Sequence, residues 1–367
     1  MIRHWVVLLF LILETAVADV RPLRNRDIRQ TLEEMFTFHV EFKELTPLVI
    51  KRSFKSYIEL FDPEKIYLLR TEVIPFIEMP NDELELVIDK YYEDDFSVYA
   101  ALNEQVAKSI YRAREWRQEI AKQLVLNPPS SPSPPEGEGY AHFAGTDDRL
   151  KERITRQLTR FLLLEKQISR HAVWDADRRA KVMALWERRL TRLEDTYLNQ
   201  AKGEHYLALH ILKSMARSLD AHTAYFSPDE AYEMRASLEK QFEGFGVVLR
   251  ESVDGVVISD LVKGGPADKS GKIFKGDLLI SIDGKSMATA TYEEVLLGLK
   301  GQGRGETVLG LKRFDENGQE RYIEASIRRE RILMEDERLQ YTTEPFAAGI
   351  IGKLVLPSFY ESDESSS

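Results

Sequence analysis

The feature that most restricts how this chain can fold is Gly244-Phe245-Gly246-Val247, two glycines around an aromatic at the seam between two hydrophobic periodicities. Before it, from Asn25 to about Leu219, apolar residues recur at helical spacing, as in Ile28, Leu32, Met35 and Phe36. After it, to about Arg328, short apolar runs alternate with glycine-bearing turns, which is the pattern of strands. A turn of two glycines that runs directly into Val247-Val248-Leu249-Arg250 gathers several backbone N–H groups into one concavity, a shape suited to a carboxylate.

Local signals divide the helical half. Thr46-Pro47 supplies an N-cap followed by proline at the first helical position, and Asp62-Pro63 turns the chain. Asn81 or Asp82 is expected to cap one long amphipathic element that passes through Leu86, Tyr91, Val98, Leu102, Val106 and Ile110 towards Leu126. Residues 127–146, rich in Pro, Ser and Gly, can form neither helix nor strand and are expected as an exposed loop. Two more helices follow, carrying Leu158, Phe161, Leu162 and Leu164, then Val182, Leu185, Trp186, Leu190 and Leu193, with Asp175 as a cap between them.

Ser227-Pro228-Asp229-Glu230 is a capping box, so a helix should start there and end near Phe242. Strands are expected over 256–261, 277–282, 307–313 and 320–328, a helix over 292–299, and a short helix at Gly265-Pro266-Ala267. Asp283-Gly284 and Asn317-Gly318 are the strongest turn signals. The fold class that results is α+β: a large all-α N-terminal region, then a small β-barrel or sandwich with two helices.

Composition removes several kinds of function. The net charge of -10 and pI of about 5.4 leave no basic face for phosphates, so nucleic acid is not an expected partner. There is no cysteine, which excludes thiolate catalysis and thiolate metal sites. Residues 1–18, with Arg3 and His4 ahead of the apolar run Trp5 to Leu13 and with Ala16-Val17-Ala18, read as a secretory signal peptide, giving a mature start at Asp19. No later segment reaches the ~20 apolar residues of a transmembrane helix, so the chain is expected to be exported without a stable span.

Other constellations are weak. Asp220, His222 and Ser218 or Ser227 are the residue types of a catalytic triad, but they lie within one turn ahead of a capped helix. His205 and His210 are five apart, which puts them on different helix faces, so with His222 they are not expected to hold a metal. Gly301-x-Gly303-x-Gly305 follows a helix and precedes a strand, the reverse of a dinucleotide loop. No cofactor is expected.

The binding expectation is specific. A peptide adds as a strand beside Val247, Val248, Leu249 and Arg250, its carboxylate meets the turn at Gly244, Phe245, Gly246 and Val247, and its last side chain lies over Val295, Leu296 and Leu299.

Residues 244–330 resemble a PDZ domain of the bacterial kind, on Gly244-Phe245-Gly246-Val247, Gly264-Gly265-Pro266-Ala267 and Lys275-Gly276-Asp277-Leu278-Leu279-Ile280 with Ile282-Asp283-Gly284. The flanks, Asp220-Ala221-His222-Thr223-Ala224-Tyr225-Phe226-Ser227-Pro228, Leu299-Lys300-Gly301 and the run from Ile351 to Tyr360, are similar to the carboxyl-terminal processing proteases. Phe61-Asp62-Pro63-Glu64-Lys65-Ile66-Tyr67-Leu68-Leu69 is similar to their tail-specific branch. The resemblance implies an exported serine endopeptidase, periplasmic in a Gram-negative source, whose PDZ domain takes the C-termini of unfolded or tagged exported proteins and feeds them to a Ser/Lys dyad. In such a dyad a desolvated lysine serves as base.

It also implies a division into 19–237 helical region, 238–330 PDZ domain, and 331–367 the start of a protease core plus an acidic serine-rich tail. The dyad of the family lies beyond the strand that Gly352 to Phe359 resembles, so the chain is expected to stop before its catalytic core and to be inactive alone. That strand is expected as an unpaired edge. The alternative is a non-catalytic PDZ adaptor or holding protein for exported polypeptides.

Overall fold

The computed structural model describes residues 21–131, 142–168, 173–198, 203–300, 305–315, 319–334, 338–359, 361–362 and 365–366. The expected signal peptide, half of the Pro-rich stretch, the Gly301 and Gly303 positions and Asn317-Gly318 lie outside these residues. The described chain falls into two compact units that meet in sequence at Phe226 and Ser227.

The first unit is helical: α1 Asn25–Phe38, α2 Pro47–Phe61, α3 Arg70–Ile77, α4 Asn81–Tyr92, α5 Ser97–Leu126, α6 Asp147–Ile168, α7 Ala176–Leu198 and α8 Gly203–Leu219. Thr46 caps α2 as expected, its hydroxyl accepting the Val49 N–H at 3.3 Å, and Asp175 accepts the Arg178 N–H at 2.8 Å ahead of α7. α8 packs along α1 and α2, and Phe54, Tyr57, Tyr99 and Leu102 are buried in the core between helices. The aspartate of the Asp62-Pro63 turn is itself buried, and its carboxylate accepts the N–H groups of Ile66, Tyr67 and Leu68 at 2.7 to 3.0 Å.

Two expectations fail here. The long element is two helices, because the chain breaks after Tyr92: Asp94 takes a left-handed φ of 59° and the Asp95 carboxylate accepts the Ser97 N–H to start α5. Neither Asn81 nor Asp82 caps α4, since the helix begins at Asn81 itself and Pro80 stands at the cap position. Capping residues and acidic first-turn residues are the same few types, and sequence does not separate the roles.

α5 and α7 share a buried ionic cluster. Glu194 is fully buried and takes the guanidinium groups of Arg117 at 2.8 Å and Arg114 at 2.6 Å and the Tyr67 hydroxyl at 2.7 Å, while Arg117 also reaches Glu187 at 2.8 Å. Glu194 and Arg117 are removed from water, and the geometry repays that only because so many donors converge on one carboxylate.

The second unit begins at α9 Pro228–Glu239, whose capping box forms as expected between Ser227 and Glu230. There follow β1 Gln241–Gly244, β2 Val247–Ser252, β3 Gly255–Leu261, α10 Pro266–Ser270, β4 Leu278–Ile282, β5 Lys285–Ser286, α11 Tyr292–Lys300, β6 Glu306–Phe314, β7 Glu320–Arg328 and β8 Glu330–Leu333. The main antiparallel sheet has the order β2-β3-β4-β6-β7 with β5 on β4, and β1 pairs with β8 apart from it. Asp283 and Gly284 both take positive φ, 48° and 76°, as a two-residue primed turn requires. The core is apolar: Phe245, Leu249, Ile258, Leu279, Val295 and Leu311 belong to one cluster. The buried Asp277 is held by Arg313 at 2.6 Å.

The last strands are β9 Gln340–Phe346 and β10 Gly349–Val355, an antiparallel hairpin with Gly349 opposite Phe346. The strand that was expected to stay unpaired therefore has a partner. Both of its faces are nonetheless open, Tyr341, Ile350 and Leu354 being exposed on one and Ile351 and Val355 on the other.

Candidate peptide-binding site

β2 is the end strand of its sheet, so one side of it carries a row of backbone groups that no other described strand pairs. The register says which. Gly246 accepts the Val262 N–H at 2.9 Å and Val247 faces Leu261, so the C=O of Gly246 and both main-chain groups of Val248, Arg250 and Ser252 turn towards β3. Val247, Leu249 and Glu251 turn theirs outward. These three residues form the pairing edge open to an added strand.

The turn ahead of this edge is built to leave N–H groups exposed to a ligand. The carbonyls of Phe245 and Gly246 both point inward, accepting Ala267 N–H and Val262 N–H at 2.9 Å each. Among the described residues no acceptor takes the N–H of Phe245 or of Gly246. A left-handed φ of 75° at Gly246 produces this arrangement, and a Cβ there would lie 3.2 Å from both the Gly265 Cα and the Ile332 side chain. Glycine is thus required at 246 twice, by conformation and by space. Gly244 is different: it sits in extended β1 opposite Glu330 without a positive φ.

α11 runs alongside β2. Leu296 is 8% exposed, whereas Val295 and Leu299 are 0% and 1% exposed, so the latter two back the groove from the core. Leu249 is buried with them, and alternation puts Val248 on the opposite face of the strand. At its first residue, α11 sends the Tyr292 hydroxyl to the Leu249 carbonyl at 3.4 Å, an acceptor on the open edge. At its last turn, the Leu299 carbonyl accepts from the Arg329 guanidinium, which also stands 5.3 Å from the centre of the Phe245 ring.

Tyr292, Arg329 and the β1–β8 pairing were not legible as site features. Tyr292 reads as an ordinary helix residue, and Arg329 lies 83 positions after Gly246 in a run of arginines, so only the closed fold joins it to the turn.

The other sequence candidates are accounted for by ordinary contacts. Asp220 bonds His39, not His222: its carboxylate lies 3.0 Å from His39 Nε2 and accepts the His222 and Thr223 N–H groups, which hold its pKa down to about 2. Ser218 donates to the Met215 carbonyl and Ser227 caps α9, so no triad forms around Asp220. His205 accepts the Leu23 N–H at 3.0 Å and His210 stacks on Tyr197 with ring centres 3.9 Å apart. No described helix is long and apolar enough to cross a membrane.

Comparison with known proteins finds two families along the chain. The family model of the tail-specific protease N-terminal domain matches residues 31–229, and that of the PDZ domain matches residues 234–312. A tail-specific protease of Haemophilus influenzae is 26% identical over 329 residues, covering 77% of this chain and 44% of that protein. Disks large homolog 2 of Danio rerio is 37% identical over 75 residues, which is 20% of this chain and 8% of that protein. The solved PDZ domain of a carboxy-terminal protease from Vibrio cholerae, in complex with peptide, is 26% identical, covers 25% of this chain and 97% of its own, and superposes with a TM-score of 0.22. The chain spans less than half the length of the curated relatives it matches.

Proposed function

The chain belongs to the tail-specific protease family, and from that premise we propose that it is the tail-recognition portion of an exported, C-terminal processing serine endopeptidase. A polypeptide end adds as a strand to the outward groups of Val247, Leu249 and Glu251. Its carboxylate is received by the N–H groups of Phe245, Gly246 and Val247, at the turn that Gly244 opens. Its last side chain rests on Leu296, with Val295 and Leu299 behind, so apolar ends are preferred. Val248 supports the strand from its other face.

One observation carries this reading: two adjacent N–H groups that no acceptor takes among the described residues, at the end of a strand edge that no described strand pairs, in a turn whose carbonyls are already bonded. Cutting is assigned, by resemblance, to a Ser/Lys dyad in an α/β core that β10 would join, and no described residue is given that role. The partners are C-termini of unfolded or tagged exported proteins, taken in the periplasm of a Gram-negative source. Neither cofactor nor metal enters the reading.

Fluorescence titration of the chain with a labelled peptide ending in an apolar residue tests it, the same peptide being made as free acid and as amide. The free acid is expected to bind at least about tenfold more tightly, the worth of a charge-assisted hydrogen bond pair. Equal affinities would remove the reading.

A further inference from the structure

We propose that Arg329 is the charged half of the carboxylate site, a specificity-determining residue that makes the groove select a free chain end over an internal or amidated one. The inference rests on the peptide-binding reading above and adds to it a residue from the far end of the domain.

Register places Arg329 at the turn. β1 and β8 pair with Gly244 opposite Glu330, so one step further along, in the antiparallel sense, Arg329 comes beside Phe245. Contacts agree with register. The Arg329 guanidinium carbon lies 5.3 Å from the centre of the Phe245 ring, and the same group donates to the Leu299 carbonyl in the last turn of α11. Arg329 thereby touches both walls of the groove, turn and helix, at the end where the ligand's carboxylate is received.

Electrostatics gives this position a task. Backbone amides alone would bring a full negative charge up to the C-terminal end of α11, where the last carbonyls carry the negative pole of the helix. A guanidinium bonded to one of those carbonyls neutralises the pole before the ligand arrives. It carries five N–H donors in a planar fork, the geometry that meets a carboxylate side-on. The cation over the Phe245 ring is also held in place, which lowers the entropy lost on binding.

The test is a thermodynamic cycle on the whole chain, with wild type and Arg329→Met each titrated against the free-acid and the amidated peptide. The expected result is a loss of about tenfold for the free acid and less than about twofold for the amide, the size of one charge-assisted contact. Arg329→Lys keeps the charge without the fork and should restore part of the acid preference. A merely structural role for Arg329 would weaken both ligands alike and leave their ratio unmoved. An unchanged acid-to-amide ratio in Arg329→Met, with wild type preferring the acid, overturns this proposal and spares the peptide-binding reading; wild type showing no acid preference overturns both. Should Arg329→Met fail to fold, the wild type decides: raising salt from about 0.05 to about 0.5 M must weaken the acid complex several-fold more than the amide complex, and a parallel response refutes the charged contact.

Discussion

The two units of this chain treat polar groups in opposite ways. In the helical unit, Glu194, Arg117, Arg114 and Tyr67 are drawn inside and bonded to one another, and Asp62 is wrapped by three N–H groups of its own turn. In the PDZ unit the core is apolar, and the groups of interest are the main-chain N–H groups of Phe245 and Gly246 and both main-chain groups of Val247 and Leu249, which face away from β3. Polar groups satisfied within the protein hold a shape; polar groups left open at a strand edge wait for a ligand. The contrast sets side chains perturbed by burial, such as Asp62 and Tyr67, apart from the main-chain groups of the groove, although perturbation is often a guide to activity.

Three changes would break or sharpen that contrast. The largest effect is expected from Glu194→Ala, which leaves the buried Arg117 with Glu187 alone and takes the acceptor from the Tyr67 hydroxyl, and should lower the stability of the helical unit by about 3 kcal/mol. Urea unfolding followed by circular dichroism measures it, and the free-acid affinity of the groove should stay within about twofold. Binding lost in step with stability would mean that the two kinds of polar group are not separate.

Next is a pH effect on the same unit. Burial pushes the Asp62 carboxyl up to about 6, against the pull of its backbone N–H partners. The folded chain holds this proton more tightly than an unfolded aspartate near 3.9 does, so the contribution is full below about pH 4 and is lost as pH rises through about 6, about 3 kcal/mol in all. Urea midpoints across that window should descend in the wild type and descend less in Asp62→Asn. Parallel curves would show that another group is responsible.

The smallest effect concerns the groove. The Tyr292 hydroxyl occupies the Leu249 carbonyl, an acceptor that an incoming strand needs, so Tyr292→Phe should bind the free-acid peptide about threefold more tightly, less than one net hydrogen bond. Weaker binding would instead make the hydroxyl a contact of the ligand.

Much of this was legible beforehand. Pro228 and Glu230 around Ser227, the Asp283-Gly284 turn and the alternating run at 320–328 each act through neighbours a few residues away, and each appears where local rules put it. The glycine turn was legible for the same reason, since a positive φ at Gly246 is a local demand. What the sequence did not disclose is non-local. Arg329 reaches Phe245 only because β1 pairs with β8, and β10 finds its partner in β9, whose polar composition gave no strand signal. The break between α4 and α5 was hidden because Asp94 and Asp95 read equally well as a solvated helix face.

An edge that offers its hydrogen bonds only at Val247, Leu249 and Glu251 measures a guest in steps of two residues. Extending a tail by one residue adds nothing until the next completes the stride, and shifting it by one would turn the side chain bound for Leu296 out into water. A groove that takes a tail in the way proposed holds its guest in a single register, counted backwards from the terminus.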